Sequence, residues 1–418
     1  MNRLFLICLF FSSTCLAKST NNLIILTTFS ESSIEPVIQQ FQKQHPDASV
    51  KVLHRRGEAG LRLLEKPYHD IDIVISSSRL AFLPIIKKKG FLPLGDLQLT
   101  PTAERQAQRH DLPNNVTVFG CAGYGLMWNT HYLKKHHLDI PSTWESLAQP
   151  QYFRHIIMSS PSRSGSSHLM VENILQRYGW EQGWKLLLQI GGNLASISAR
   201  SFGVSDAVSR GLAGIGLVID NFAYESQKQF PYIGFQYQDF SPQLPSYIAA
   251  INNTNQANHS LAFIEFMLSD KIQNNMLEGS LHKHNLKQSE DLPFTVQPID
   301  HKLVQQRAVL VMQLFEQVIN HQLVALNQAW QLLHKISSIE TLSATQRQQY
   351  ALAVKLASTP PVTAAEANNT AHFRNLTMSQ SNVFTAKHIN NWRDTMALQL
   401  EHSIRLSKQI LADSKEER

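Results

Sequence analysis

The sequence predicts an α/β protein of two lobes with a helical extension at its C-terminal end. Three observations predict it. Short apolar runs alternate with helical periodicity between residues 22 and 76, a second such series follows a glycine-rich crossing at 120–125, and strand patterns stop near Pro298. With 418 residues, 43% of them hydrophobic and 17% charged, the chain can bury more than one core, which excludes a disordered or fibrous protein.

Residues 23–28 (Leu-Ile-Ile-Leu-Thr-Thr) form a continuous apolar run, the pattern of a strand covered on both faces in a parallel sheet. Ser30-Glu31-Ser32-Ser33 then opens a helix with Ile34, Val37, Ile38 and Phe41 on one face, which Pro46 ends. Residues 49–54 supply a second strand and 58–66 a helix. Residues 70–75 supply a third strand, running into Ser76-Ser77-Ser78. Strand, helix, strand, helix, strand is a doubly wound lobe with parallel strands.

After a further strand at 116–119, Gly120-Cys121-Ala122-Gly123-Tyr124-Gly125 permits close backbone approach or bending and marks the crossing into a second lobe. Ser142 and Glu145 fit a capping box at a helix start. A strand at 154–158 leads through a polar loop, 159–167, into helices at 169–175 and 180–190. Residues 195–198 and 215–219 read as buried strands around a helix that begins near Gly203, and 247–251 return the chain to the first lobe. The expected boundaries are 18–120 and 246–295 for lobe 1, 121–245 for lobe 2 and 296–418 for the extension. In the extension Val304, Ala308, Val311, Phe315, Val318 and Leu323 share one helical face. A second helix starts at Ser343 with a capping box to Gln346, and Pro360-Pro361 breaks the chain. A last helix carries Ile389, Trp392, Met396, Leu400 and Ile404. These stripes pack on their own lobe or offer a docking surface to a partner.

Residues 1–17 join Arg3, an apolar run at 4–11, and small Cys15 and Ala17 placed for cleavage after Ala17, the makeup of a secretory signal peptide. The run is shorter than the ~20 residues a bilayer needs. Cleavage would remove Arg3 and no acid, taking the formal charge from +6 to +5 (37 basic less 32 acidic residues), and of three cysteines only Cys121 would remain. The expected location is the periplasm, without an intramolecular disulfide and with Cys121 as a small buried residue. The mild basic excess, spread without a long run, favours a small anionic ligand over nucleic acid.

In an open α/β sheet ligands sit beyond the carboxyl ends of the strands, where loops enter helix N-termini. Three such loops are rich in hydroxyls: Thr28-Phe29-Ser30, Ser76-Ser77-Ser78, and Ser162-Arg163-Ser164-Gly165-Ser166-Ser167-His168. In the third, Gly165 lets backbone approach an anion, Ser164, Ser166 and Ser167 donate hydroxyls at a helix start, and Arg163 offers a planar fork to carboxylate or phosphate. Arg200-Ser201 repeats the pattern at another strand end. Asp220-Asn221 follows a strand and could receive a ligand hydroxyl or hold Arg163 or Arg200. The plainer alternative for each is a solvated helix cap or turn. His136-His137 and His282-Lys283-His284 lack a nearby carboxylate or cysteine and read as solvent-facing, so no metal is expected. No Gly-x-Ser-x-Gly, His-Glu-x-x-His or phosphate-loop motif occurs, and neither an enzyme nor a cofactor is indicated. An exported hydrolase using His168 or the His282/His284 pair is the alternative from another class.

These elements carry a family resemblance over residues 20–285. Thr28-Phe-Ser30, Asp70-Ile-Asp-Ile-Val-Ile-Ser76, Pro141-Ser-Thr-Trp-Glu-Ser-Leu147, Pro161-Ser-Arg-Ser-Gly-Ser-Ser-His168 and Tyr247-Ile-Ala-Ala-Ile-Asn252 resemble periplasmic solute-binding proteins of the type II, ferric-binding-like class. Pro161 to Glu172 followed by Gly179-Trp-Glu-Gln-Gly-Trp184, with the helical extension, is most similar to the phosphoglycerate transport regulatory group of that class. The resemblance implies a monomeric receptor that captures a small anionic metabolite, such as phosphoglycerate, and signals to a membrane sensor kinase. An ABC-transporter receptor that hands phosphonate, iron(III) or another anion to a permease is the alternative. Ferric-binding members carry neighbouring tyrosines after the strand that is 215–219 here. This chain has Asp220-Asn221-Phe222 there, with Tyr224 beyond, so the resemblance does not extend to an iron ligand set.

Overall fold

A computed structural model of the chain describes residues 22–416 apart from 56–57, 67–68, 89, 96–111, 239, 253, 286–291, 294, 370–371 and 379–381. The expected signal peptide and its cleavage after Ala17 lie outside the described residues.

In the first lobe β1 (Asn22–Thr27), β2 (Ser49–His54) and β3 (Ile73–Ser76) pair in parallel and are linked by α1 (Glu31–Gln44) and α2 (Glu58–Glu65). The apolar runs of β1 and β3 have a structural cause. Ile25, Ile73 and Ile75 face one core with Ile34, Val37 and Phe41 of α1, while Leu26 and Val74 face a second core with Phe82 and Tyr247. A short α3 (Leu83–Lys87) closes this segment. β4 (Thr117–Ala122) belongs to the same sheet, and β5 (Tyr124–Asn129) to the next one, so the first crossing is the single residue Gly123. Gly120 and Gly125 are positions of close backbone approach. A Cβ on Gly120 would stand 2.6 Å from the Met276 sulfur, and one on Gly125 2.2 Å from the Gln236 carbonyl oxygen. Both are glycine because neighbours approach the backbone closely.

The second sheet runs β7-β6-β8-β5-β9, with β6 (Ile156–Ser159), β7 (Leu194–Ser198), β8 (Ile215–Ile219) and β9 (Ile233–Tyr237). Its helices are α4 (Thr130–His136), α5 (Gly165–Tyr178), α6 (Trp180–Asn193), α7 (Ser201–Ser209) and α8 (Asp220–Gln229). The chain recrosses through β10 (Ser241–Pro242) into β11 (Leu244–Ala250), which completes the first sheet in the order β2-β1-β3-β11-β4. Then α9 (Ala257–Leu268) and α10 (Asp270–Asn274) pack on lobe 1, and β12 (Val296–Gln297) pairs with β10.

The sequence reading departs from this fold in several places. Both sheets are mixed, because β5 and β11 arrive from the other lobe without a helical crossover and run antiparallel to their neighbours. β7 is an edge strand, not a buried one: its Ala195 and Ile197 are only half-buried. Ser142 and Glu145 do not form a capping box. Thr143 and Ser146 exchange side-chain and amide bonds of 3.2 Å instead, and Glu145 accepts the Tyr178 hydroxyl at 2.5 Å. His282 and His284 are buried, not solvent-facing.

The extension comprises α11 (His301–Phe315), a π-helical turn (Glu316–Asn320), α12 (Leu323–Ser337), α13 (Ala344–Ser358), α14 (Ala364–Asn368) and α15 (Val383–Glu416). The apolar face expected to run straight from Val304 to Leu323 is broken, and the two segments meet at 62°. The Ser343–Gln346 capping box is present. No single described helix is long and apolar enough to cross a membrane. The apolar stripes cover lobe 2: Leu314, Phe315, Leu326, Trp330, Trp392 and Met396 share one core with Trp184, Leu187 and Ile190 of α6. A Cβ on Gly192 would stand 2.1 Å from the Trp330 ring, so the fit there requires glycine. A buried ion pair joins the two parts, with Arg307 of α11 donating to both carboxylate oxygens of Glu172 in α5, at 2.7 Å from Nη2 to Oε2 and 3.1–3.2 Å from Nε.

Replacing Glu172 by alanine would strand a buried guanidinium. The Glu172→Ala protein is expected to lose about 3–5 kcal/mol of unfolding free energy in urea titration, and a loss under 1 kcal/mol would contradict the pairing. A second prediction concerns acid. His334 donates from Nε2 to the Asn193 Oδ1 at 2.9 Å, because the Asn193 amide already donates to the Leu147 and Gln149 carbonyls. Burial holds this imidazole down to about 4. The unfolded chain therefore binds a proton below its ordinary value near 6.5 while the folded chain does not. Stability from this group is complete above pH 6.5 and is lost as pH falls toward 4. His334→Gln should show a shallower fall of melting temperature across that window than wild type.

Candidate functional site

The two sheets present the carboxyl ends of β1, β3, β6 and β8 to one another, and the loops leaving those strands line a shared cavity of about 160 Å³. From lobe 1 come Thr28, Ser30, Ser76, Ser77 and Ser78; from lobe 2 come Arg163, Ser164, Gly165, Ser166, Arg200, Ser201 and Asn221. Twelve of the fourteen residues singled out by pattern thus face one space. The lobes stand in contact around it. A Cβ on Gly165 would lie 3.2 Å from that of Ser78, Ser32 donates to Glu225 at 3.2 Å, and Lys228 donates to the Glu278 carbonyl at 2.8 Å.

Hydrogen bonds hold each loop in place. Thr28 donates to Ser76 at 3.1 Å, and Ser76 accepts the Ser78 amide at 2.9 Å. Ser77 and Ser246 share a bond of 3.1 Å. Ser30 caps α1 by accepting the Ser33 amide, and Ser164 caps α5 by accepting the Ser167 amide at 3.2 Å. Ser164 also bonds Ser201 at 2.6 Å, tying the starts of α5 and α7 together. The first residues of α5, Gly165 and Ser166, lie on the cavity wall, where a helix start carries partial positive charge.

Two of the expected residues lie elsewhere. Ser167 is buried behind the wall and bonds Ser159 at 2.6 Å. Asp220 holds neither Arg163 nor Arg200. Fully buried, it accepts the Gly123 amide at 2.6 Å and the Tyr237 hydroxyl at 3.0 Å, and lies 3.3 Å from His284 Nε2. Its position just after a strand is common for a turn acid and also open to a ligand role; the contact with Gly123 gives it a third. Tyr224 and Tyr237 bond each other at 2.6 Å and do not line the cavity. Burial, with the Asp220 charge beside it, pushes the Tyr237 phenol far above its ordinary range, so it stays a protonated donor and not a phenolate ligand. Among the described residues no group of three or more His, Cys, Asp and Glu could hold a metal. Cys121 is buried, and burial pushes its thiol up to about 12. His168 lines the cavity, but burial lowers its pKa and leaves the imidazole neutral, 4.0 Å from Glu172.

Sequence reasoning missed several lining residues. Arg55 follows β2 at a strand's carboxyl end, so the rule that found the other loops could have found it. Lys283, Met312 and Met378 also line the cavity and had no such pattern. Arg55, Arg62, Arg163 and Arg200 continue into a wider outer mouth that also carries Glu31 and Glu225. All four arginines are exposed. The extension reaches the site as well. Glu316, at the π-helical turn, accepts from both Ser160 and Ser162, the latter at 2.7 Å, and its other oxygen accepts from Asn320 at 2.6 Å. π-turns within helices often mark functional positions, and here the turn braces the loop that carries Arg163.

Residues 70–300 match the family of bacterial extracellular solute-binding proteins, and the chain belongs to that family. It is therefore an extracytoplasmic solute-binding protein and not an enzyme. It is 33% identical over 331 residues to the phosphoglycerate transport regulatory protein PgtC of Salmonella typhimurium, covering 77% of this chain and 82% of that protein. The fold is that of type II periplasmic binding proteins. The periplasmic binding protein AfuA of Actinobacillus pleuropneumoniae, solved with fructose-6-phosphate, superposes with a TM-score of 0.63 at 14% identity, over 72% of this chain and 98% of its own. Iron-bound HitA of Pseudomonas aeruginosa gives 0.52 at 16% identity, over 62% and 84%.

The brace at Glu316 is testable by proteolysis after Arg163, an exposed tryptic site. Removing the shared acceptor in Glu316→Ala should lower the local opening free energy by about 1.5–3 kcal/mol and speed that cleavage roughly tenfold to a hundredfold. An unchanged rate would refute the brace.

Proposed function

We propose that the cleft captures a small phosphorylated or carboxylated metabolite, phosphoglycerate being the candidate named by the Salmonella relative, and that the closed form is presented to a membrane sensor kinase or a permease. The observation that carries this reading is the convergence of hydroxyls, helix-start amides and arginines from both lobes on one cavity. Thr28, Ser30, Ser76, Ser77, Ser78, Ser164, Ser166 and Ser201 supply neutral donors. Gly165 admits close backbone approach, Arg163 and Arg200 supply charge, and Asn221 offers a buried carbonyl oxygen that has no partner among the described residues. Such a set binds an anion without a metal and without covalent change. An anion held by both lobes would favour their closed contact, which is how ligand becomes shape.

Output to a sensor is favoured over delivery to a permease by one observation: the extension grips the ligand loop through Glu316 and α5 through Arg307. A change in that loop therefore has a direct route to α11, whereas a receptor that only feeds a permease needs no third layer. A permease receptor for phosphonate or another anion would use the same cleft. Iron(III) fits it less well, since the half-buried Tyr224 and Tyr237 are bonded to each other and lie off the cavity wall.

Calorimetric titration with 3-phosphoglycerate tests the reading. Arg163 and Arg200 are exposed, so each truncation to alanine should weaken binding by about 1–2 kcal/mol, roughly fivefold to thirtyfold, with a weaker effect at high salt. Full affinity in the Arg163→Ala, Arg200→Ala double variant would reject the role given to the arginines.

A further inference from the structure

Arg55, Arg163 and Arg200 line both the cavity and its outer mouth, but Lys283 lines the cavity alone. Resting on the reading of this cleft as an anion site, we infer that Lys283 is a second, buried cationic pole, and that the cleft selects solutes with two separated anionic groups. The arginine mouth takes one group and the Lys283 ammonium the other. The ligand class is then a phosphorylated carboxylic acid, not a sugar phosphate with its single anionic group or a lone inorganic anion.

Lys283 is 2% exposed. A lysine so deeply buried is rare unless something pairs with its charge. Within the fold its ammonium stands over the Phe29 ring, 5.0 Å from the centroid, and Phe29 belongs to the first hydroxyl-rich loop. No carboxylate among the described residues forms an ion pair with it. Asp220 is the acid whose charge it feels, but neither carboxylate oxygen of Asp220 stands within ion-pair distance of the ammonium: Oδ2 is engaged by Gly123 and Tyr237, and Oδ1 is buried without a hydrogen-bond partner among the described residues. Burial consequently holds the lysine below its ordinary range. An aromatic face offsets only part of the desolvation of an ammonium, and a ligand anion in the same cavity would supply the rest.

The backbone around Lys283 keeps the side chain in place. His282 adopts a left-handed conformation at φ 47°, the Lys283 amide donates to the Met276 carbonyl at 3.2 Å, and His284 pairs both ways with Cys121 at 2.8 and 2.9 Å. Lys283 is thereby anchored to β4 on the lobe 1 side of the crossing, while Arg163 and Arg200 belong to lobe 2. Arg55 of lobe 1 shares the mouth with Arg163 and Arg200, so the mouth alone can meet one anionic group, and a solute with a second group also reaches the buried Lys283.

The experiment is calorimetric titration of the full chain and of Lys283→Met with 3-phosphoglycerate, glycerol 3-phosphate and glycerate, the last two each lacking one anionic group. Wild type should prefer 3-phosphoglycerate to both by about tenfold or more, and Lys283→Met should lose that preference while its affinity for at least one singly anionic probe stays within about threefold. Lys283→Met retaining both affinity and preference would overturn the role of Lys283 and leave the cleft reading intact. Failure of wild type to bind any of the three probes would overturn the cleft reading, and this inference with it. Melting temperature without ligand gives an independent check. Removing an uncompensated buried charge should leave Lys283→Met and Lys283→Gln as stable as wild type or more so. A clear fall in both would mean that the ammonium is already compensated inside the fold, and would sink the proposal.

Discussion

The polypeptide passes from one sheet to the other through Gly123, and Asp220 holds that residue from both sides. Its carboxylate accepts the Gly123 N–H at 2.6 Å, and its own N–H donates to the Gly123 carbonyl at 3.0 Å. The return crossing is held in the same manner at the next residue, where the Ser241 hydroxyl accepts the Tyr124 amide at 2.7 Å and donates to the Tyr124 carbonyl at 3.0 Å. Backbone groups at a crossing have left one ladder and not yet joined another, so they need such partners when buried. Because the strand after each crossing starts at the cleft and runs away from it, β5 and β11 are reversed and every other carboxyl end in the centre of the sheets points at the cleft. The position of Asn221 on the cavity wall follows from the anchoring of Asp220 one residue earlier.

Charge in the cleft is divided by depth. The arginines stand exposed at the mouth, where water screens each of them and long-range attraction of an anion is their main effect. Lys283 lies buried beside Phe29 and the hydroxyl loops, where one charge interacts far more strongly. Neutral donors between the two regions fit an anion without adding further net charge, and burial keeps His168 neutral within the same wall.

The extension is continuous with lobe 2 and cannot be regarded as an appended module. It shares a core with α6, buries an ion pair between Arg307 and Glu172, places Met312 and Met378 on the cavity wall and braces the Arg163 loop through Glu316. Lobe 1 has no comparable layer among the described residues. Lobe 2 is thus backed by the helices of the extension on the face opposite α7 and α8.

Periodicity determined much of this protein unaided. The apolar run 23–28 suited a strand with both faces covered, the Ser343–Gln346 pair announced its helix start, and hydroxyl-rich loops after strands pointed to a common ligand edge, since that rule depends on chain direction and helix polarity alone. Residues whose role comes from partners distant in the chain were not legible. Asp220 looks like a turn acid until Gly123 lies against it, Glu316 like a surface helix residue until Ser160 and Ser162 meet it, and Lys283 like part of a solvated His-Lys-His stretch until β4 and Phe29 enclose it. Local pattern records which groups a backbone segment can satisfy by itself. Burial, strand reversal and the pairing of charges are decided only when the two lobes and the extension close on one another, because desolvation depends on everything that surrounds a group and not on its neighbours in sequence.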